Sequence, residues 1–214
     1  SGPGLTLKSE ALGLDVMTEL QLVLIDVQRG GPSTGLPTKT EQSDLLQALY
    51  GRNGEGQVVV IAASSPGNCF HYAYMAAKIA LEHLTPVILL TDGYLGNGTE
   101  VIQIPDLDKL PPITPRIVKA NDPDYAPYRR DEKTLRRRVG GLEKLDLKGS
   151  VSHDPENHQK MATYRDTKVQ LIANEIEYQK VIGDQEGDLL IVGWGGTYGA
   201  LRNSFDIYKK EHKD

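Results

Sequence analysis

Three short runs of the chain are apolar almost without interruption: "LQLVLIDV" at 20–27, "QVVVIAA" at 57–63 and "PVILLTD" at 86–92. Continuous runs of this length, rich in Val and Ile, predict strands buried on both faces. The segments between them change period. Leu5, Leu12, Val16 and Leu20 fall near helical spacing, which predicts a helix over 5–19. "TEQSDLLQALYG" predicts a short helix capped by Thr40 and stopped by Gly51. "SSPGNCFHYAYMAAKIALEHL" predicts a longer one, with Ser64 or Ser65 and Pro66 at its start and Phe70, Ala73, Tyr74, Ala77, Leu81 and Leu84 inward. Strands alternating with helices in this way make an α/β domain with a parallel sheet.

After Asp92 the pattern breaks. Prolines and turn residues crowd the next 24 positions, and 120–155 is polar and irregular. A stretch that long without period is expected to be functional or interfacial. Asp154 and Pro155 then open a long helix, with Met161, Tyr164, Val169, Leu171, Ile172 and Ile176 only partly in phase. Such a helix is expected to bridge two bodies. "GDQEG" reads as a linker, and "DLLIVGW", "GGTYG" and "ALRNSFDIYKKEHKD" as the strand, turn and helix of a new α/β unit. A lone strand and helix cannot bury both faces of a sheet, so the chain reads as an internal piece of a longer polypeptide.

Composition narrows the function. The chain has 214 residues, 39% hydrophobic and 25% charged, enough for a sizeable core. A net charge of −5 argues against a nucleic-acid face. The single cysteine, Cys69, excludes a disulfide within the chain and an iron–sulfur cluster held by this chain alone. Low cysteine use fits a reducing, cytoplasmic setting. No apolar run approaches a membrane span, and no signal peptide is expected.

Candidate chemistry gathers where the first strand ends. Arg29 is followed by Gly30, Gly31, Ser33 and Thr34. Ligands of open parallel sheets sit beyond the carboxyl ends of the strands. A guanidinium there, with hydroxyls and closely approaching backbone, suits a carboxylate or phosphate. The plainer alternative is a glycine-rich turn whose arginine pairs with a carboxylate such as Asp26 or Asp44. "SGPG" at 1–4 opens a helix, and its N–H groups either receive an anion or merely cap. "DGYLGNGTE" at 92–100 follows the third strand and should face the same cleft, or be a plain turn. His153, Asp154, Glu156 and His158 fit no zinc spacing. Arg136 to Arg138 suit phosphate or a partner's acidic face, or a solvated, salt-bridged run. Cys69 reads as core. "GWGGTYG" at 193–199 mimics a dinucleotide fingerprint, although glycines also serve tight strand–helix packing.

Taken together, "SGPGLTLKSEA", "QRGGPSTGLPTKTEQSDLLQALYGRNGE", "TDGYLGN", "RVGGLEK", "SHDPENHQKM" and "LIVGWGGTYGA" resemble the α subunit of 2-oxoacid:ferredoxin oxidoreductases, most closely the 2-oxoglutarate type. The resemblance runs nearly the whole chain. It implies a later part of a thiamine-diphosphate pyrimidine-binding domain over 1–115, a connecting segment over 116–186, and the start of a transketolase-C-terminal-like domain over 187–214. It implies thiamine diphosphate with magnesium, shared with a β subunit, and an iron–sulfur cluster on another domain or subunit. The implied partners are that β subunit, a second α–β unit, ferredoxin, the 2-oxoacid and coenzyme A. Arg29 falls where the family places an arginine for the substrate carboxylate, with Ser33 and Thr34 beside it. The family's catalytic glutamate lies upstream of SGPG, so no catalytic residue is expected here and the fragment alone is expected to be inactive. Branched-chain 2-oxoacids or pyruvate are the alternative substrates. A distal carboxylate, as in 2-oxoglutarate, calls for a further cation, for which Lys39 and Arg52 are candidates. An assembly module without ligand contact is the alternative of another class.

Overall fold

The computed structural model describes residues 1–115, 140–146 and 148–212. At its centre are three parallel strands in the order β1–β3–β2: β1 is Leu22–Gln28, β2 is Val59–Ala62 and β3 is Pro86–Asp92. The register runs from Leu22 opposite Pro86 to Gln28 opposite Asp92, so β1 and β3 end together. Val87, Ile88, Leu89 and Leu90 are buried, as the unbroken apolar run of a central strand requires.

Helices cover both faces. α1 (Gly2–Thr18) and α2 (Leu45–Tyr50) lie on one, where Leu5, Leu12, Val16 and Ala48 meet Ile88 and Leu90. α1 has proline in its first turn and stops at Glu19, which takes a left-handed conformation with φ 53°. α3 (Pro66–His83) lies on the other face with Ala76, Ile79 and Ala80 against Val59 and Val87. Its Ser65 side chain accepts from Asn68 N–H, an N-cap followed by proline. A short helix, α4 (Gly93–Asn97), follows β3 directly.

α5 (Pro155–Ala173) packs on the α3 side through Ile172, and the Asp154 carboxylate accepts from Glu156 N–H at its start. Its inner stripe is Asn157, Met161, Arg165, Lys168 and Ile172, spaced by three and four residues. Arg165 forks onto Glu143 at 3.1 Å, and Lys168 reaches Glu19 at 3.0 Å and Leu84 O at 2.8 Å. The Lys144 ammonium is buried and donates to Met17 O at the end of α1 at 2.6 Å. α5 and the 140–146 loop therefore clamp the amino-terminal end of the sheet.

Several expectations are corrected. α2 begins at Leu45 with Asp44 as its N-cap, not at Thr40, because 37–44 is tied back to the Arg29 loop. α3 turns Ala76, Ile79, Ala80 and His83 inward, while Phe70 is exposed and the Tyr74 hydroxyl donates to Pro111 O. Small alanines let the helix sit close to the sheet. Residues 188–192 form no strand: Leu189, Leu190, Ile191 and Val192 are exposed, since no neighbouring strand among the described residues offers hydrogen bonds. α6 (Tyr198–Glu211) forms as expected.

Candidate functional site

The site is built where β1 and β3 run out. Gln28, the last residue of β1, is buried, and its amide ties the two strands to the end of the next loop. Its Nε2 donates to Thr91 O at 3.1 Å, and its Oε1 accepts from Asp44 N–H at 3.1 Å. The loop between, 29–44, folds back on itself. Gly30 N–H donates to Lys39 O and Leu36 N–H to Gly30 O, both at 2.8 Å. Gly31 N–H donates to the Glu41 carboxylate at 2.6 Å. At Gly35, φ is +55° and a Cβ would lie 1.7 Å from Gly30 O, so only glycine closes the turn.

Arg29 is half-buried at the base of this loop. Its Nη2 donates to Thr34 O at 2.8 Å, and its buried Nε has no hydrogen-bond partner. Among the described residues it pairs with neither Asp26 nor Asp44. Ser33, at φ 55°, and Thr34 are exposed at the loop tip. A buried guanidinium nitrogen without an acceptor is costly, and an anion bound there would satisfy it.

The flanking turns are occupied by the chain's own acids. The Ser1 nitrogen lies 2.7 Å from Asp26 Oδ1, and a Cβ on Gly2 would meet Asp44 Oδ1 at 2.8 Å. The SGPG turn thus faces two internal carboxylates. Burial, and then the neighbouring Asp26 charge, raise the Asp44 pKa above its ordinary 3.8. A carboxyl group with a raised folded-state pKa loses stability for the fold as pH rises through that window. Asp44→Asn, which keeps a residue type favoured at N-caps, should therefore raise Tm at pH 7–8. The gain should fade toward pH 3.8, as thermal melts across pH would show.

Asp92 is buried and fully engaged: Oδ1 accepts from Tyr94 and Leu95 N–H at 2.8 and 3.0 Å, and Oδ2 from Gly196 N–H at 3.0 Å. Its loop therefore borders the Arg29 loop through backbone packing rather than by offering a free carboxylate. Gly195 and Gly196 approach this same edge, so packing is the use found for them, while Gly193 packs against Leu201 and Gly199 faces open space. Arg52 is withdrawn from the candidates for a distal carboxylate, because all three of its nitrogens donate to carbonyls of Ala48, Leu49 and Gly56 at the end of α2. Lys39 is exposed on the Arg29 loop.

The other sequence candidates disperse. Asp154 caps α5, and His158 Nδ1 meets Glu143 at 2.7 Å. Among the described residues no group of three His, Cys, Asp or Glu could hold a metal ion. Arg136 to Arg138 lie outside the described residues. Cys69 is half-buried against Leu95 and Ala63, and burial, with the Asp92 and Glu100 charges, pushes its thiol pKa up. No helix among the described residues is long and apolar enough to cross a membrane. Sequence reasoning missed Gln28, Glu41 and Gln42. The signal was present as polar residues at the end of, and just beyond, an otherwise apolar strand.

A parallel sheet covered by helices on both faces, with a glycine-rich, arginine-containing loop at its carboxyl end, is an α/β fold whose ligands sit beyond the strand ends. Comparison with known proteins identifies its family. The family model for pyruvate flavodoxin/ferredoxin oxidoreductase, thiamine-diphosphate-binding, matches residues 1–179, and the chain belongs to that family. It is similar to the 2-oxoglutarate oxidoreductase subunit KorA of Mycobacterium tuberculosis, 52% identical over 94% of this chain and 32% of that protein. It is also similar to the α subunit of 2-oxoacid:ferredoxin oxidoreductase 1 of Sulfurisphaera tokodaii, 34% identical over 100% of this chain and 36% of that one. Among solved structures, the 2-oxoglutarate:ferredoxin oxidoreductase from Magnetococcus marinus, with 2-oxoglutarate, coenzyme A and succinyl-CoA bound, matches with a TM-score of 0.88. That match is 33% identical and covers 99% of this chain and 39% of that chain. The chain thus spans about a third of the length of the curated relatives it matches.

Proposed function

We propose that this chain is part of the α subunit of a thiamine-diphosphate-dependent 2-oxoglutarate:ferredoxin oxidoreductase. The complex converts the 2-oxoacid and coenzyme A to the acyl-CoA and carbon dioxide, and passes electrons to ferredoxin. The observation that carries this reading is the half-buried Arg29, with an unpartnered Nε, at the mouth of a sheet belonging to this family. Arg29 binds the carboxylate next to the keto group, and Ser33 and Thr34 add hydroxyl donors to the same anion. Lys39, on the same loop, is the cation for the distal carboxylate.

When bound, thiamine diphosphate supplies the carbon nucleophile and electron sink that the protein's own side chains lack. Residues 1–115 form one wall of its site, and a β subunit supplies the magnesium and diphosphate contacts. The iron–sulfur centre belongs to another domain or subunit. A second α–β unit completes the cytoplasmic assembly, 116–186 connects, and 187–214 begins a transketolase-C-terminal-like unit. What this chain does is orient: it fixes the carboxylate and so aims the keto carbon.

The test is co-expression of the full-length α subunit with its β subunit, followed by coenzyme A-dependent ferredoxin reduction with several 2-oxoacids. The expected result is the highest kcat/KM with 2-oxoglutarate. Equal or better turnover of pyruvate or a branched-chain 2-oxoacid would overturn the substrate assignment.

A further inference from the structure

The Trp194–Gly196 turn has no part in the chemistry above, yet it is seated against the Arg29 loop. The Trp194 ring packs beside the core cluster that includes Leu5, Leu12 and Ile88. Its carbonyl accepts from Gln42 Nε2 at 2.8 Å, and Gln42 belongs to the Arg29 loop. Two residues on, Gly196 N–H donates to Asp92 Oδ2 at 3.0 Å, at the end of β3. The approach is too close for side chains. Gly195 has φ +62°, and a Cβ there would lie 2.2 Å from Gln42 Nε2. A Cβ on Gly196 would lie 2.4 Å from Asp92 Oδ2. Gly195 and Gly196, two of the four glycines that mimic a dinucleotide fingerprint, are thus required by this seat.

We infer that Gln42 is a positioning residue: through its bond to Trp194 O, the Trp194–Gly196 turn holds the Arg29 loop in the geometry that receives the substrate carboxylate. The chain of contacts is short. Gln42 follows Glu41, whose carboxylate accepts from Gly31 N–H at 2.6 Å, two residues from the guanidinium. Gln28 secures the base of the loop from inside the sheet, and Gln42 secures it from outside. A hydrogen bond on one side only leaves the loop free to swing about its base, which weakens substrate binding more than turnover. The inference rests on the carboxylate-binding role given to Arg29 above.

The test uses the assembled enzyme with full-length subunits and two readouts. Gln42→Glu preserves size but removes the donor, and Gln42→Ala removes both. Each should raise KM for 2-oxoglutarate roughly 3–10-fold, the worth of one hydrogen bond. kcat and the KM for coenzyme A should stay within about twofold of the parent, since neither depends on the loop's grip. Gly196→Ala should act in the same direction from the other side of the contact. Hydrogen exchange should quicken in peptides spanning 29–44 in all three. Unchanged exchange there would overturn the inference, as would quickened exchange with an unchanged KM. Arg29→Ala is measured alongside. If it leaves KM and kcat/KM unaltered, the carboxylate role of Arg29 has failed, whereas normal exchange at 29–44 in the Gln42 variants means that the positioning role has failed.

Discussion

Arg29→Ala in the assembled enzyme is expected to lower kcat/KM for the 2-oxoacid by at least about 30-fold, because losing one partner of a desolvated charged pair costs roughly 2–5 kcal/mol. The size of the effect follows from the local structure. The Nε of Arg29 is buried without a partner, and only Nη2 is engaged, to a carbonyl of its own loop. The guanidinium is held at its base, with capacity left for a carboxylate. Lysine should not restore the loss, since a single ammonium cannot make two parallel bonds to a planar carboxylate. Stopped-flow or steady-state ferredoxin reduction across substrate concentrations would check this, with thermal melts confirming that the variant is folded. Unchanged kinetics would remove Arg29 from the site and leave docking as the loop's use.

The second large effect lies at the opposite end of the sheet. Lys168→Ala is expected to destabilise the protein by roughly 3–5 kcal/mol, as breaking a buried ion pair does. Lys168 and Glu19 are both buried, 3.0 Å apart, and the ammonium also holds Leu84 O at 2.8 Å. Glu19 ends α1 and Leu84 ends α3, and both take left-handed φ values, 53° and 50°. One lysine thus fastens the two turns that lead into β1 and β3. For a domain of this size the fall in Tm is on the order of 10 °C. The double variant Lys168→Met with Glu19→Leu should recover most of the loss, because a buried pair replaced by apolar groups is often near neutral. A double variant as unstable as the single one would show that the carbonyl contact, not the charge pair, carries the energy.

These features differ in how far the amino-acid pattern discloses them. The three strands and α1, α3 and α6 were legible because apolar runs and helical spacing reflect burial directly. α5 was readable as a helix, from Asp154 and Pro155, but not as to its packing. Its inward stripe includes Arg165 and Lys168, which an apolar count treats as outward, so the helix looked out of phase. Burial of those charges becomes sensible only when Glu143 and Glu19 are found opposite, from 22 and 149 residues away. The start of α2 was misplaced for a similar reason. Thr40 is a good cap in isolation, but long-range bonds from Gly30, Gly31 and Gln28 hold 37–44 as loop. The run at 188–192 shows the converse: strand propensity alone forms no strand without a neighbour to pair with.

At the site, the placement of Arg29 was legible, since a cation among glycines just past an apolar run marks a strand-end loop. The roles of Gln28 and Gln42 were not, because an amide's value depends on which backbone groups surround it. The 193–199 glycines were ambiguous in sequence, and the proximity of Asp92 and Gln42 shows why Gly195 and Gly196 are small.

The central claim is that the Arg29 guanidinium receives the carboxylate of the 2-oxoacid. A crystal or cryo-electron microscopy structure of the assembled complex, soaked with 2-oxoglutarate in the absence of coenzyme A, tests it most directly. A substrate carboxylate about 2.7–2.9 Å from the Arg29 nitrogens, with Ser33 or Thr34 beside it, is the result this account requires. Substrate ordered elsewhere, with Arg29 still bonded only to Thr34 O, would contradict it.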